Sequence, residues 1–75
     1  MSVKYTVSFG KGEKASEGPD NADVAVSIDA KFTSMDPTAA FMLGKLKAEG
    51  NTRALFEALW SGEAESAISR LASRP

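Results

Sequence analysis

The sequence predicts a small α+β domain: a three- or four-stranded antiparallel sheet covered on one face by short helices, in the order β-β-β-α-α-β-α-α. Three observations carry this reading. Apolar residues recur at every second position over residues 3–9 and 23–28, the period of a half-buried strand. They recur at three- and four-residue spacings over 52–61 and 64–73, the period of a helix with one apolar face. Finally, 75 residues make at most one small domain, near the size at which a single core only just outweighs chain entropy.

Val3, Tyr5, Val7 and Phe9 alternate with Lys4, Thr6 and Ser8, which makes residues 3–9 a strand with one apolar face. Gly10-Lys11-Gly12 turns the chain, and residues 13–17 pair back as a polar edge strand with Ala15 its apolar member. Gly18-Pro19-Asp20-Asn21 is a turn cluster. Val24, Val26 and Ile28 then repeat the alternation over 23–28. Residues 30–35 allow one helical turn presenting Phe32 and Met35 together.

Asp36 before Pro37 is an N-cap and N1 pair, since the N–H that proline lacks is unpaired at a helix start anyway. A short helix is expected over 37–43, stopped by a left-handed Gly44. Residues 45–49 read as a strand with Leu46 and Ala48 on one side and Lys45 and Lys47 on the other. Gly50-Asn51 turns the chain, and Asn51 or Thr52 caps a helix over 52–61. Leu55, Phe56, Leu59 and Trp60 form its apolar stripe. Ser61-Gly62 breaks it before a last helix over 64–73, striped by Ala64, Ala67, Ile68 and Leu71. Without internal repeats or linkers, residues 1–75 read as a single domain.

Composition excludes several function classes. A formal net charge of −1 without a basic block gives no attraction for nucleic acid or an anionic membrane. There is no cysteine for disulfides or thiolate metal sites, and no histidine to serve as metal ligand or neutral-pH base. The serines therefore have no histidine to activate them. Asp20, Asp23 and Asp29 lack the spacing of a calcium loop. The glycine turns do not lead from a strand into a helix, as a phosphate cradle requires. The expectation is a protein that is not an enzyme, with no metal and no cofactor.

The longest apolar run falls far short of the roughly 20 residues that span a bilayer. Residues 1–5 lack the basic and apolar regions of a signal peptide. Residues 72–75 are not a Ser-Lys-Leu peroxisomal address. A cytoplasmic protein with no integral membrane association is the default expectation.

The segment from Asp36 to Asn51 says more. Phe32, Ala40-Phe41-Met42, Gly44-Lys45-Leu46-Lys47 and Gly50-Asn51 occur in that order. They resemble the central motif of the sterol carrier protein-2 family, in which Ala-Phe-Met-x-Gly-Lys-Leu-Lys is followed by Gly-Asp or Gly-Asn opening the next helix. Residues 22–28 also resemble the family's third strand, so the likeness runs over residues 5–60.

The resemblance implies a five-stranded sheet covered by helices. Between the layers it implies an apolar tunnel that binds sterols, fatty acyl chains or acyl-CoA without catalytic residues. It also implies three departures in this chain. The family's N-terminal helix and first strand are missing, the link between Phe32 and Asp36 is shortened, and residues 62–75 form an extra or altered helix.

The expected function is thus non-catalytic binding or carriage of a lipid, sterol or fatty-acyl ligand. Phe32, Met35, Phe41, Met42, Phe56, Leu59 and Trp60 are the expected lining. Spacing alone does not separate the wall of a cavity from a filled core. Lys45 and Lys47 either attract a head group at a pocket mouth or mark a solvated edge strand. In the alternative reading, missing elements leave a sheet edge open, and Phe9, Phe41, Phe56 and Trp60 exceed what a thin two-layer fold covers. Two copies then pair as a homodimeric interaction or scaffold module with a closed core and no ligand.

Overall fold

The computed structural model describes residues 2–73; Met1, Arg74 and Pro75 lie outside the described residues, as do the parts of the terminal readings that fall on them. The strands are β1 (Val3–Gly10), β2 (Glu13–Glu17), β3 (Val24–Asp29) and β4 (Leu46–Gly50). The helices are α1 (Pro37–Met42), α2 (Thr52–Ser61) and α3 (Glu63–Ala72), with a single 3-10 turn at Ala30–Phe32. The α+β class, the order of elements and a four-stranded sheet all agree with the sequence-based expectation.

One pairing differs from the expected meander. The sheet order is β2-β1-β3-β4, so β3 lies beside β1, and the two run parallel in the register Val3↔Val24 to Ser8↔Asp29. The β1–β2 and β3–β4 pairs are antiparallel, and the sheet is therefore mixed. The loop over residues 18–23 makes this order possible by crossing the start of β1. Gly18, at φ +114°, sits so close to β1 that a Cβ there would collide with the Val3 carbonyl oxygen. Past the crossing, Ser2 and Asp23 hold each other: the Asp23 amide donates to the Ser2 carbonyl at 3.0 Å, and the Ser2 amide donates to Asp23 Oδ2 at 2.9 Å. Gly50 meets the same corner, where any Cβ would strike the Asp23 carbonyl oxygen.

The caps form as the residue types dictate. Asp36 accepts from the Ala39 amide at 3.3 Å, Gly44 takes φ +75°, and Asn51 accepts from the amides of Arg53 and Ala54 at 2.9 and 3.2 Å. These bonds satisfy donors that a helix start otherwise leaves unpaired.

Strand alternation sends Val3, Tyr5, Val7, Ala15, Val24, Val26, Ile28 and Leu46 to one face of the sheet, where they are buried. The helices cover that face. The other face carries Thr6, Ser8, Lys14, Ser16, Ser27, Lys47 and Glu49 toward solvent, as suits an uncovered sheet surface. Phe9 departs from the alternation: the β1–β2 register shifts between Ser8 and Gly10, and Phe9 is left 40% exposed instead of facing the core.

Candidate functional site

The apolar stripe expected on α2 packs only in part: Leu55 is buried and Leu59 packs against the core, but Phe56 and Trp60 turn outward. Ala54, Leu55 and Ala58 are buried, whereas Phe56 is at the exposed margin and Trp60 is 80% exposed. Alanine at i and i+4 lets a helix backbone approach the sheet closely, and Ala64 and Ala67 do the same for α3. Bulky aromatics at those positions would hold α2 away. Phe56 and Trp60, also at i and i+4, are carried outward by the same rotation.

The displaced aromatics form an ordered stack. Phe41 on α1 meets Phe56 edge to face, with ring centroids 6.1 Å apart and planes at 88°. Phe56 stacks on Trp60 at 5.9 Å with planes 20° apart. Both spacings fall in the attractive range for ring pairs. The three rings bridge α1 and α2 on the surface of the helical layer.

The seven residues expected to line a site divide accordingly. Phe32, Met35, Phe41 and Leu59 are partly buried and packed against the core. Phe56 lies at the margin, and Met42 and Trp60 are mostly exposed, with Leu43 beside them at 63%. Trp60 also borders an open cleft of about 560 Å3 lined by Val3, Ala54, Glu57, Ala58, Ser61 and Glu63. Met35 borders a separate depression beside α3, with Asp36, Glu65 and Ser69. The structure thus joins Phe41, Phe56 and Trp60 through ring contacts and leaves Met35 apart from them.

The cleft was not legible from apolar spacing, because its floor is Val3 at the start of β1 plus the small residues Ala54 and Ala58 of α2. Its rim is acidic. Glu57 faces Arg53 one turn earlier on α2, at 3.8 Å. Glu63 accepts the Tyr5 hydroxyl at 2.8 Å. Burial, together with that bond and the nearby charges of Glu63 and Glu17, pushes the Tyr5 phenol well above its ordinary range. Behind it, Arg70 donates to both carboxylate oxygens of Glu17, from Nε at 3.2 Å and from its terminal nitrogen. That pairing raises the guanidinium further.

On the opposite flank, Lys45 and Lys31 place their Nζ atoms 5.2 and 5.3 Å from the centroid of one ring, Phe32. Lys45 and Lys31 thus share the Phe32 ring, and Lys45 and Lys47 together border a shallow depression with Ser8, Ser27, Ile28 and Asp29. Among the described residues, no cluster of three or more Asp or Glu is placed to hold a metal ion, and no helix is long and apolar enough to cross a membrane.

No family model matches the chain, and no curated protein sequence is similar to it. Solved structures are similar in shape. The sterol carrier protein 2 of Yarrowia lipolytica, in its apo form, superposes with a TM-score of 0.60 at 17% identity, covering 97% of this chain and 70% of that one. The inverting sec-alkylsulfatase Pisa1 from a Pseudomonas species gives a TM-score of 0.43 at 16% identity, over 79% of this chain and 12% of its own. The second likeness is too slight to carry an argument. The first extends over nearly every element described above, and it shows that this chain has a fold like that of sterol carrier protein 2.

Proposed function

We propose that the chain binds a lipid, sterol or fatty-acyl type hydrophobic ligand and performs no catalysis on it. The observation that carries this reading is the open cleft beside Trp60. Its volume of about 560 Å3 suits a single small apolar ligand, for which sites of ~300–1,000 Å3 are usual. Val3, Ala54 and Ala58 offer an apolar floor and Trp60 a flat wall. Phe56 and Phe41 extend that wall outward through their ring contacts. The likeness in fold to a sterol carrier protein supports the same reading.

Magnitudes limit what the cleft can do. An open groove that removes about 200–300 Å2 of apolar ligand surface from water gains roughly 5–7 kcal/mol. That gain alone corresponds to a Kd of about 10–200 μM, and association entropy subtracts from it, leaving an affinity in the millimolar range or weaker. The carboxylates of Glu57 and Glu63 at the rim repel an anionic head group. A sterol or other neutral-headed ligand should therefore bind more tightly than a free fatty acid.

A second reading rests on the same exposed rings. Phe56, Trp60, Met42 and Leu43, together with the open edges of β2 and β4, also suit a homodimeric interaction module without a ligand. Native mass spectrometry with fluorescence titration separates the two. The chain has one tryptophan, so Trp60 emission reports directly on the cleft. The expected result is a monomer that takes up one fluorescent sterol, with Trp60 quenched in parallel and a weaker response to a fluorescent fatty acid. A stable dimer with no adduct and no quenching by either probe overturns ligand binding and leaves the dimer.

A further inference from the structure

We propose that β4 is a pairing edge: two copies of the chain join antiparallel along it, centred on Ala48, into one continuous sheet. β4 is the last strand in the order β2-β1-β3-β4, so no strand lies on its outer side. The Asn51 amide donates inward, to the Asp23 carbonyl at 2.8 Å. Backbone groups alternate between the two sides of a strand. Lys47 and Glu49 therefore also turn theirs toward β3, while Leu46 and Ala48 turn theirs to the open edge. Such an edge is a template for another strand.

Charge selects the occupant. Lys47 and Glu49 are exposed on the uncovered face, and opposite them on β3 stand Ser27 and Ala25, which carry no charge. The ion pairs are Lys4–Asp20, Arg53–Glu57 and Arg70–Glu17, so among the described residues neither Lys47 nor Glu49 has an ionic partner. When β4 is laid antiparallel on its own copy about Ala48, Lys47 of each chain falls opposite Glu49 of the other. Both cross-strand pairs are then of opposite charge, which favours a sheet. Moving the register by two residues sets Lys47 against Lys47 or Glu49 against Glu49. Charge thus fixes the register as well as the partner.

The other edge of the sheet lacks this match. In β2, the same operation about Ala15 sets Glu13 against Glu17 and Lys14 against Ser16, and like charges directly opposed destabilise a pair of strands. Glu17 is also held by Arg70 on α3. A head-to-tail contact of β2 with β4 about Ala15 and Ala48 matches Lys14 with Glu49, one pair in place of two. Of the two edges, only β4 is complementary to itself.

No residue of β4 lines the cleft beside Trp60, so the pairing leaves it open. Residues that face the same way lie opposite each other, which puts both helical layers, and both clefts, on one side of the joined sheet. A strand of five residues makes a small contact, in the class below about 1,200 Å2 that weak complexes occupy. The chain is therefore a monomer at the ~5 μM of native mass spectrometry and pairs with a Kd on the order of 100 μM. The pairing rests on the homodimeric reading, whose contact it assigns to β4, and stands whether or not the cleft holds a ligand.

The test is sedimentation equilibrium of the whole chain from about 5 μM to about 1 mM. Wild type should pass from monomer to dimer. Glu49→Lys and Lys47→Glu each set like charges in opposition and should weaken association about tenfold or more. An equimolar mixture of the two should restore it, because the two lysines of one chain then face the two glutamates of the other. Both variants should keep the wild-type unfolding midpoint, since these side chains are exposed, and the wild-type quenching of Trp60 by sterol.

A wild type that stays monomeric throughout overturns the pairing and the homodimeric reading together. Association that neither variant weakens, or that the mixture fails to restore, keeps a dimer but removes it from this register of β4, and so overturns the proposal alone. Growth beyond the dimer assigns the edge to head-to-tail contact and overturns it too. Trp60 quenching in Glu49→Lys reports on the ligand separately.

Discussion

The two helical flanks of the sheet are built on opposite terms. Where α3 crosses β1 and β2, Val7, Ala64, Ala67, Ile68 and Leu71 are almost wholly buried, and polar groups are matched across the elements. Tyr5 donates to Glu63, and Arg70 donates to Glu17. Where α1 and α2 lie, Ala40, Ala54, Leu55 and Ala58 go inward, Phe41 and Leu59 pack partly against the core, and the rings of Phe56 and Trp60 stay outside. The α3 side buries its apolar groups, whereas the α1–α2 side leaves Met42, Phe56 and Trp60 exposed. Substitutions on the two sides should therefore separate folding from function.

The largest effect is expected on the α3 side. Leu71→Ala removes most of a buried side chain and should cost about 2–5 kcal/mol, read as a lowered midpoint in urea unfolding. For a domain this small, the loss approaches the whole of its stability. Gly18→Ala, which drives a Cβ into the Val3 carbonyl at positive φ, should cost roughly 1–3 kcal/mol by the same measurement.

On the other side, Trp60→Ala should change the unfolding free energy by no more than about 0.5 kcal/mol, as exposed substitutions do. Sterol binding, read by native mass spectrometry because the fluorophore is lost, should fall at least tenfold. If Trp60→Ala destabilised the fold as Leu71→Ala does, the contrast between the flanks would collapse.

A smaller effect concerns pH. Tyr5→Phe deletes one partly buried hydrogen bond to Glu63, worth about 1–2 kcal/mol at neutral pH. The folded phenol is held above its ordinary value, first by burial and then by Glu63. The stabilisation is complete below the unfolded phenol's pKa of about 10. Above that pH the unfolded chain releases its proton while the folded chain keeps it, so stability falls as pH rises. Wild-type stability should decline through alkaline pH, and that decline should be nearly flat in Tyr5→Phe. An equal slope in both would remove Tyr5 as the cause.

The smallest effect is at the surface. Lys4 pairs with Asp20 at 2.6 Å and lowers its carboxyl. Because Asp20 is almost entirely solvated, Asp20→Asn should leave the unfolding midpoint within error.

Much of the fold was legible in the sequence. Alternation in Val3–Val7 and Val24–Ile28 gave the strands, and Asp36-Pro37, Gly44 and Asn51 marked the helix ends within a residue or so. Two features escaped for physical reasons. Alternation says which face a strand buries but not which strand lies beside it, so the parallel β1–β3 pair depended on a loop crossing that only Gly18 hinted at. On α2, two stripes share Leu55: one runs through Ala54 and Ala58, the other through Phe56, Leu59 and Trp60. Hydrophobicity favours the bulky stripe, whereas close packing on a sheet favours the small one. The pairs Tyr5–Glu63 and Arg70–Glu17 join residues far apart in the chain, and no local pattern announces them. Ligand lining was the least legible of all, because exposure of Trp60 and Met42 follows from the rotation of α2 and the shortness of α1.

The most direct test of the division between the flanks is a titration of isotope-labelled protein with a sterol, followed by amide NMR shifts. The expected result is that shifts concentrate at the start of β1 around Val3 and along α2 from Ala54 to Ser61, with the amides of Ala67 to Leu71 in α3 unmoved. Shifts centred on α3 and the β1–β2 hairpin, or no shifts at saturating sterol, would contradict it.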